Sequence, residues 1–277
     1  MDVIWEANLL ETQTTVKQNK LTIDMLFAID IGNTNIDLAL FEGKQLISKR
    51  TIPSRETNQT NHATSVNNFV HNNTIEKKID AALISSVVQG LGNKFVHYCS
   101  SNDIAAQQVD NTWDLGIAID YDPPEHAGID RLLSAAAAFD IAPDQHSVVI
   151  ADAGTAITVD IVDSSGNYLG GAITPGYHLM NQALHSSTSL LPHVDLKRTG
   201  VLPASNTPEG IRTGVLYGAA SIVDGIGQRL AQSVSTPSWL VITGGDGPML
   251  FSHIQKYHKC VPHLVLHGLA KAWELRH

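Results

Sequence analysis

Two acidic segments that contain glycine carry the residue types needed to bind a phosphate and a metal ion. The first, AIDIGNTNIDLALFEG (28–43), places Asp30, Gly32, Asn33, Thr34 and Asn35 between two apolar arms. A tight turn after a strand exposes successive backbone N–H groups that bind anions, and Mg²⁺ prefers one or two carboxylates beside substrate phosphates. We therefore predict a phosphate-binding loop with Asp30 placed to hold a metal ion. A hairpin closed by an Asx turn is the alternative.

The same pattern returns in VVIADAGTAITVDIVDSSGNYLGGAI (148–173), where Asp152 ends an apolar strand and Gly154 and Thr155 follow it. The alternating and β-branched residues after each copy predict two further strands. These predicted strands cover residues 36–41, 46–52, 157–162 and 168–173. The repetition weakens the hairpin alternative, and two facing loops could hold a nucleotide in a cleft between two halves.

Helical and strand patterns surround both copies and predict an α/β fold with two similar halves. Further strands are predicted at 79–88, 107–109, 239–245 and 262–268, and long helices at 128–141 and 207–234. Proline and polar residues in APDQHS (142–147) favour a boundary there. We therefore predict an N-terminal half at 25–142 and a C-terminal half at 143–277, preceded by a flexible extension at 1–24.

A third glycine-rich segment, VITGGDGPML (241–250), is typical of a strand that enters a helix through a Gly-Gly turn. Such a turn could pack against an adenosine or approach a phosphate. A crowded strand-to-helix turn without a ligand is the alternative.

The segment YDPPEHAGIDRLLSAAAAF (121–139) carries the strongest candidate for catalysis. Gly128 should open a helix with an alanine-rich interior, which puts Asp130 and Arg131 in its first turn. A carboxylate is electrostatically favoured there, so a structural role is one interpretation. The other is a general base beside an anion-binding arginine, which is nearly all that phosphoryl transfer requires of a protein.

Composition excludes several functional classes. The formal net charge of −9 and the scattered basic residues argue against a nucleic-acid partner. The longest apolar runs are too short to span a membrane, and two distant cysteines, Cys99 and Cys260, favour a reducing cytoplasm. His178, His185 and His193 lack a zinc-type spacing, so we predict surface or core positions for them.

Together these motifs resemble the type III pantothenate kinases of the acetate kinase/Hsp70/actin superfamily. The resemblance runs from about Met25 to the C-terminus. It rests on the family's order of DIGNTN, YDPPEHAGIDR, DAGTAITVDIVDSSGNYLGGAITPG, NTPEGIRTGVLYGAASIVDGI, TGGDG and VPHLVLHGL.

The resemblance implies two duplicated ribonuclease H-like (actin-like ATPase) domains with a cleft between them, and a homodimer with its active site at the interface. It also implies phosphorylation of pantothenate by ATP with Mg²⁺, the first step toward coenzyme A. Asp130 would be the general base, Asp30 the carboxylate on the Mg²⁺ side, and Asp152 the ligand of K⁺ or NH₄⁺. The implied ATP contacts are Asp30, Ile31, Gly32, Asn33, Thr34, Asn35, Ile36, Asp37 and Thr155, and the implied pantothenate contacts are Tyr121, Gly128, Ile129, Asp130, Arg131 and Thr207.

One residue departs from the family pattern, because the position of Ile129 is commonly alanine. Two rival functions also remain open at this point. A sugar or acetate kinase of the same superfamily would share the twin loops, and a non-catalytic regulatory relative would bind a ligand or a protein. The intact Asp30, Asp130 and Asp152 argue against the regulatory alternative.

Overall fold

The computed structural model describes residues 25–55, 61–74, 78–196 and 200–277. The predicted extension at 1–24 lies outside these described residues. The chain forms two β-sheets with helices on their faces and between them.

The first sheet has the strand order β3-β2-β1-β4-β5. The first three strands are antiparallel, and the fourth and fifth run parallel to the first. Its elements are β1 (Met25–Ile31), β2 (Asn35–Glu42), β3 (Gln45–Pro53), α1 (His62–Asn73), β4 (Ala81–Ser86), α2 (Leu91–Ser100) and β5 (Ala106–Gln108).

The second sheet repeats this arrangement as β9-β8-β7-β10-β11, with the short β6 added beside β9. Again three antiparallel strands come first, and the next two run parallel to the first of them. Its strands are β6 (Ala118–Ile119), β7 (Ser147–Ala153), β8 (Ala156–Val162), β9 (Asn167–Pro175), β10 (Ser238–Thr243) and β11 (Lys259–Cys260). This repetition confirms the predicted α/β fold of two duplicated ribonuclease H-like units.

The central strands are apolar throughout because both of their faces are covered. In β1, Leu26 and Ala28 pack into a core that is shared with the second sheet, whereas Phe27 and Ile29 pack into a core under α1 and α2. Side chains alternate between the two faces of a strand, so a sheet covered on both sides requires continuous hydrophobic runs. The same double burial recurs in β7.

Two helices fill the space between the sheets, α3 (Ile129–Asp140) and α7 (Leu264–Glu274). They pack closely, because a Cβ on Gly268 would lie only 2.3 Å from the carbonyl oxygen of Leu133. Helix α3 also contacts β7 and β8, and α7 contacts β1, β2 and β4. Helix α7 comes after the predicted division at 142–147 in the sequence, yet it packs on the first sheet. The division therefore stays a prediction.

The predicted strand at 262–268 is wrong, since those residues open α7. A short apolar run such as Leu264–Leu266 does not distinguish a strand from a buried helix. The apolar positions continue to Ala272 on a helical face, and this longer pattern decides for the helix. The parallel edge strand is β11, which lies just before the predicted segment.

The predicted helices at 128–141 and 207–234 are confirmed as α3 and α5 (Thr207–Gln232). Asn206 caps α5, and its side chain accepts a hydrogen bond from the N–H of Glu209. The remaining helices are a 3₁₀ turn (Pro124–His126), α4 (Tyr177–Ser186), α5 (Thr207–Gln232) and α6 (Gly247–Phe251). In the described part of the chain, no helix has both the length and the apolarity needed to cross a membrane.

Candidate functional site

The two repeated loops face each other across a cleft of about 700 Å³. The hydroxyl oxygens of Thr34 and Thr155 lie 2.7 Å apart and form a hydrogen bond between the loops. The predicted site residues that line the cleft are Asp30, Gly32, Asn33, Thr34, Asn35, Asp37, Asp130, Arg131, Asp152 and Thr155. Folding thus brings together residues that are up to 125 positions apart in the sequence.

The first loop is a tight turn held from outside by Ser54. The N–H of Gly32 donates to the carbonyl of Asn35 at 2.9 Å. The hydroxyl of Ser54 donates to the carbonyl of Gly32 at 2.6 Å, and its N–H donates to the carbonyl of Thr34 at 2.9 Å. The side chains of residues 33–35 are therefore free to face the cleft, where they are exposed.

The second loop is built the same way, and the Gly-Gly turn packs against it. The N–H of Gly154 donates to the carbonyl of Ala156 at 3.0 Å. Gly244 has a φ of +88°, and a Cβ there would lie 2.3 Å from the carbonyl oxygen of Ala153 and 2.5 Å from a carboxylate oxygen of Asp152. Only glycine combines this φ with such close contact. The turn after β10 thus closes one side of the cleft.

Three carboxylates, those of Asp30, Asp130 and Asp152, concentrate negative charge in the cleft. Burial raises the pKa of Asp30 to about 8, and the nearby charges of Asp130, Asp37 and Asp152 contribute to this rise. Burial and then the charge of Asp130 raise the pKa of Asp152 to about 7. Burial likewise raises the pKa of Asp130. A cation would relieve this mutual repulsion.

The side chains of the cleft suit a metal ion that takes most of its ligands from water and from the substrate. Among the described residues, no three His, Cys, Asp or Glu side chains converge on one metal position. Mg²⁺ is commonly bound by one or two carboxylates plus phosphate oxygens and water, so a site built on Asp30 alone is chemically sound. Asp152 provides a second, separate carboxylate for a cation.

Asp130 lies in the first turn of α3, where the backbone orients it. One of its carboxylate oxygens accepts a hydrogen bond from the N–H of Arg131 at 2.9 Å. Arg131 is buried and forms two hydrogen bonds with Asp160, one of them from Nε at 3.1 Å, and the Tyr168 hydroxyl donates to the same carboxylate at 3.0 Å. Asp160 therefore neutralises much of the positive charge of Arg131.

Six predicted site residues do not line the cleft. Ile31, Ile36 and Ile129 are buried in the core, so the bulk of Ile129 does not narrow the cleft. The others are Tyr121, which lies 6.0 Å from the Arg131 guanidinium, Gly128, which is the N-cap of α3, and Thr207, which is exposed at the start of α5. The predicted contacts of these residues with ligands stay predictions.

Several cleft residues were missed by sequence reasoning, among them Lys49, Thr51, His178, Asp246 and His263. Lys49 and Thr51 lie on β3, and strand alternation could have placed them on the same face. His178 was predicted at the surface or in the core, and it is an exposed residue at the cleft mouth, 3.9 Å from Asp246. No sequence signal brings α4 next to the Gly-Gly turn.

Comparison with known proteins assigns the chain to a family. The family model described as type III pantothenate kinase matches residues 26–229. A type III pantothenate kinase of Rubrobacter xylanophilus is 35% identical over 263 residues, which cover 91% of this chain and 98% of the relative. The chain belongs to the type III pantothenate kinase family.

Other relatives agree with this family assignment. The type III pantothenate kinase of Solibacter usitatus is 32% identical over 260 residues, with 91% of this chain and 97% of the relative covered. Among solved structures, the activator of the 2-hydroxyisocaproyl-CoA dehydratase from Clostridium difficile, with bound ADPNP, has a TM-score of 0.53 at 16% identity. That match covers 91% of this chain and 97% of the activator. The structural likeness supports the fold alone.

Proposed function

We propose that this type III pantothenate kinase transfers the γ-phosphoryl group of ATP to the primary hydroxyl of pantothenate and releases ADP and 4′-phosphopantothenate. The observation that carries the proposal is the position of Asp130. Its carboxylate lines the same cleft as the two loops of the duplicated fold, which the Thr34–Thr155 hydrogen bond joins. A base and a phosphate cradle are thereby presented to one space.

Asp130 acts as the general base. It accepts the proton of the substrate hydroxyl as that oxygen attacks the γ-phosphorus, and the bond to the ADP oxygen breaks. The hydrogen bond from the Arg131 N–H leaves its second carboxylate oxygen available for this proton. Arg131 itself, held by Asp160, orients the polar end of pantothenate with its remaining N–H groups.

The two loops bind the nucleotide phosphates through backbone N–H groups and through the side chains of Asn33, Thr34, Asn35 and Thr155. Bound at Asp30, Mg²⁺ would neutralise phosphate charge. A monovalent cation, K⁺ or NH₄⁺, fits Asp152, whose carboxylate is surrounded by other carboxylates rather than by basic groups. The Gly-Gly turn at 244–245 would contact the adenosine.

We further propose that the enzyme works as a cytoplasmic homodimer. Thr207 lies at the exposed start of α5 and does not line the cleft of its own chain, so a second copy of the chain would bring it to pantothenate. Four exposed apolar side chains support such an interface, namely Ile173 (63% exposed), Leu190 (89%), Val201 (63%) and Leu202 (65%). The two free cysteines, Cys99 and Cys260, agree with a reducing compartment.

A coupled ADP-release assay with pantothenate, Mg²⁺-ATP and either K⁺ or Na⁺ tests the reaction and the cation together. We expect turnover that depends on pantothenate and falls when Na⁺ replaces K⁺. Equal rates in the two salts would contradict the proposal that Asp152 binds a monovalent cation.

The same assay with a panel of sugars and acetate in place of pantothenate tests the rival kinase activities. Turnover on that panel without turnover on pantothenate would reassign the substrate. No turnover on any acceptor by folded protein would favour a regulatory role instead.

A further inference from the structure

The cleft contains a lysine that the roles above leave unused. Lys49 lies on β3, and its ammonium group is 3.2 Å from a carboxylate oxygen of Asp37. The side chain is 23% exposed and lines the cleft. We infer that Lys49 binds a phosphate oxygen of the nucleotide, and that Asp37 holds the ammonium group in place for this contact. The inference rests on the proposed kinase function.

Strand register puts Lys49 on the same face of the first sheet as the phosphate loop. Asp30 is directly opposite Asp37, and Asp37 is directly opposite Thr51. Residues that are opposite on neighbouring strands point to the same face, and so do residues two apart on one strand. Asp30, Asp37, Thr51 and Lys49 therefore form one polar patch beside the first loop.

Asp37 is fixed independently of Lys49. The hydroxyl of Thr51 donates to the same Asp37 oxygen at 2.5 Å. An ammonium group has three N–H donors, so Lys49 can keep its bond to Asp37 and donate to a ligand as well. The pair thus acts as a prepositioned donor, and binding does not have to order a flexible lysine.

The charge balance of the cleft gives the lysine its importance. The described lining residues include five carboxylates, those of Asp30, Asp37, Asp130, Asp152 and Asp246, and two strong cations, Lys49 and Arg131. Asp160 binds Arg131 through two hydrogen bonds, so its charge is already compensated. The remaining N–H groups of Arg131 are assigned to pantothenate above, so Lys49 is the cation available for the anionic phosphates, which a compact ammonium group binds well.

A purely structural role for the Lys49–Asp37 pair is the competing explanation. Ion pairs that are partly open to solvent contribute little to stability. The two roles make different predictions, because a structural pair would affect every ligand alike, whereas a phosphate contact would affect only ligands that carry phosphates.

Equilibrium binding of Mg²⁺-ATP and of adenosine, measured by calorimetry on the full chain, separates the two roles. We expect Lys49→Met to weaken ATP binding about tenfold or more, as typical for one charge-assisted contact, and to leave adenosine affinity within about twofold. Lys49→Arg should restore most of the ATP affinity, because it keeps a cation near Asp37.

Lys44→Met is the matched control. Lys44 lies in the turn of the same hairpin, is 71% exposed, and pairs with Asp140 and Glu274 outside the cleft. Lys44→Met removes the same charge and two ion pairs that lie outside the cleft, so it should leave ATP affinity unchanged. Equal losses of ATP affinity in the two variants would mean that the net charge of the protein, and not a contact by Lys49, causes the loss. That result would overturn the inference.

The outcomes also separate this inference from the proposed function. If the unsubstituted protein binds Mg²⁺-ATP and Lys49→Met binds it equally well, the role of Lys49 is wrong and the kinase proposal stands. If Lys49→Met loses ATP and adenosine to the same extent, the pair is structural. If the unsubstituted protein does not bind Mg²⁺-ATP, both proposals are wrong.

Discussion

At the scale of single residues, three carboxylates with raised pKa values share one cleft, and position distinguishes their roles. Asp30 and Asp152 are the last residue but one in the first strand of each repeat, whereas Asp130 lies in the first turn of a helix between the sheets. The N–H of Arg131 donates a hydrogen bond to one carboxylate oxygen of Asp130. The other oxygen is left to accept a proton, which suits a base more than a metal ligand.

Replacement of Asp130 by asparagine should reduce kcat by about 100-fold or more, as expected when a general base is lost, and leave ATP affinity largely unchanged. Steady-state kinetics and calorimetry measure the two quantities. Asp103→Asn is a suitable control, because Asp103 is exposed at a φ of 57° that asparagine also adopts. A variant at Asp130 with the rate of the unsubstituted enzyme would remove Asp130 from this role.

The pH dependence of kcat/KM should show the environment of the same carboxylate. Burial raises the pKa of Asp130, and only its ionised form can accept a proton. Activity should therefore fall as the pH decreases through that raised pKa, with an acid limb above the usual aspartate value of about 3.9. Circular dichroism at each pH identifies losses caused by unfolding. An acid limb at or below the usual value would contradict the assigned environment.

At the scale of secondary-structure elements, the site depends on close backbone contact between the second loop and the turn after β10. Gly244 makes this contact beside Asp152, and the neighbouring Gly245 does not, because a Cβ on Gly245 would meet nothing within 4 Å. Gly244 and Gly245 thus differ in how closely the rest of the structure packs against them. The Gly-Gly pair provides a matched experiment.

Gly244→Ala should lower the free energy of unfolding by at least about 1–2 kcal/mol, because alanine is strained at positive φ and its Cβ would collide with Ala153 and Asp152. Gly245→Ala should change this free energy much less. Urea unfolding of the two variants measures the difference. Similar losses in both would show that the close packing around Gly244 relaxes easily.

At the scale of the whole molecule, the apolar side chains exposed after α4 and before α5 suggest that one copy of the chain is not the functional unit. Leu190 is 89% exposed, and Thr207 is outside the cleft of its own chain. Patches of this kind commonly mark protein interfaces. A dimer would cover the patch and bring Thr207 to a second active site.

Sedimentation equilibrium should therefore give about twice the chain mass of 29.9 kDa. Leu190→Asp should shift the protein toward the monomer and lower the rate with pantothenate. Ile47→Asp is the control, since Ile47 is 43% exposed on β3 of the first sheet. A monomer for the unsubstituted protein, or a Leu190→Asp variant that stays dimeric, would contradict an interface at this patch.

The sequence by itself determined the repeated strand–loop–strand units, the ends of β1 and β7 to within one residue of Asp30 and Asp152, and the helix that begins beside Asp130. These features depend on local periodicity, turn chemistry and capping, which are encoded within short windows. A short window predicted a strand at 262–268, where the longer apolar pattern that continues to Ala272 and packs between the sheets selects a helix.

Only the tertiary structure decided which side chains share the cleft. Lys49 pairs with Asp37 through strand register, His178 approaches Asp246 through the docking of α4, and Asp160 compensates Arg131 across the shared core. These contacts join residues that are 12, 68 and 29 positions apart, so no local pattern reports them. The sequence predicted a phosphate cradle, and the fold decided how its charges are balanced.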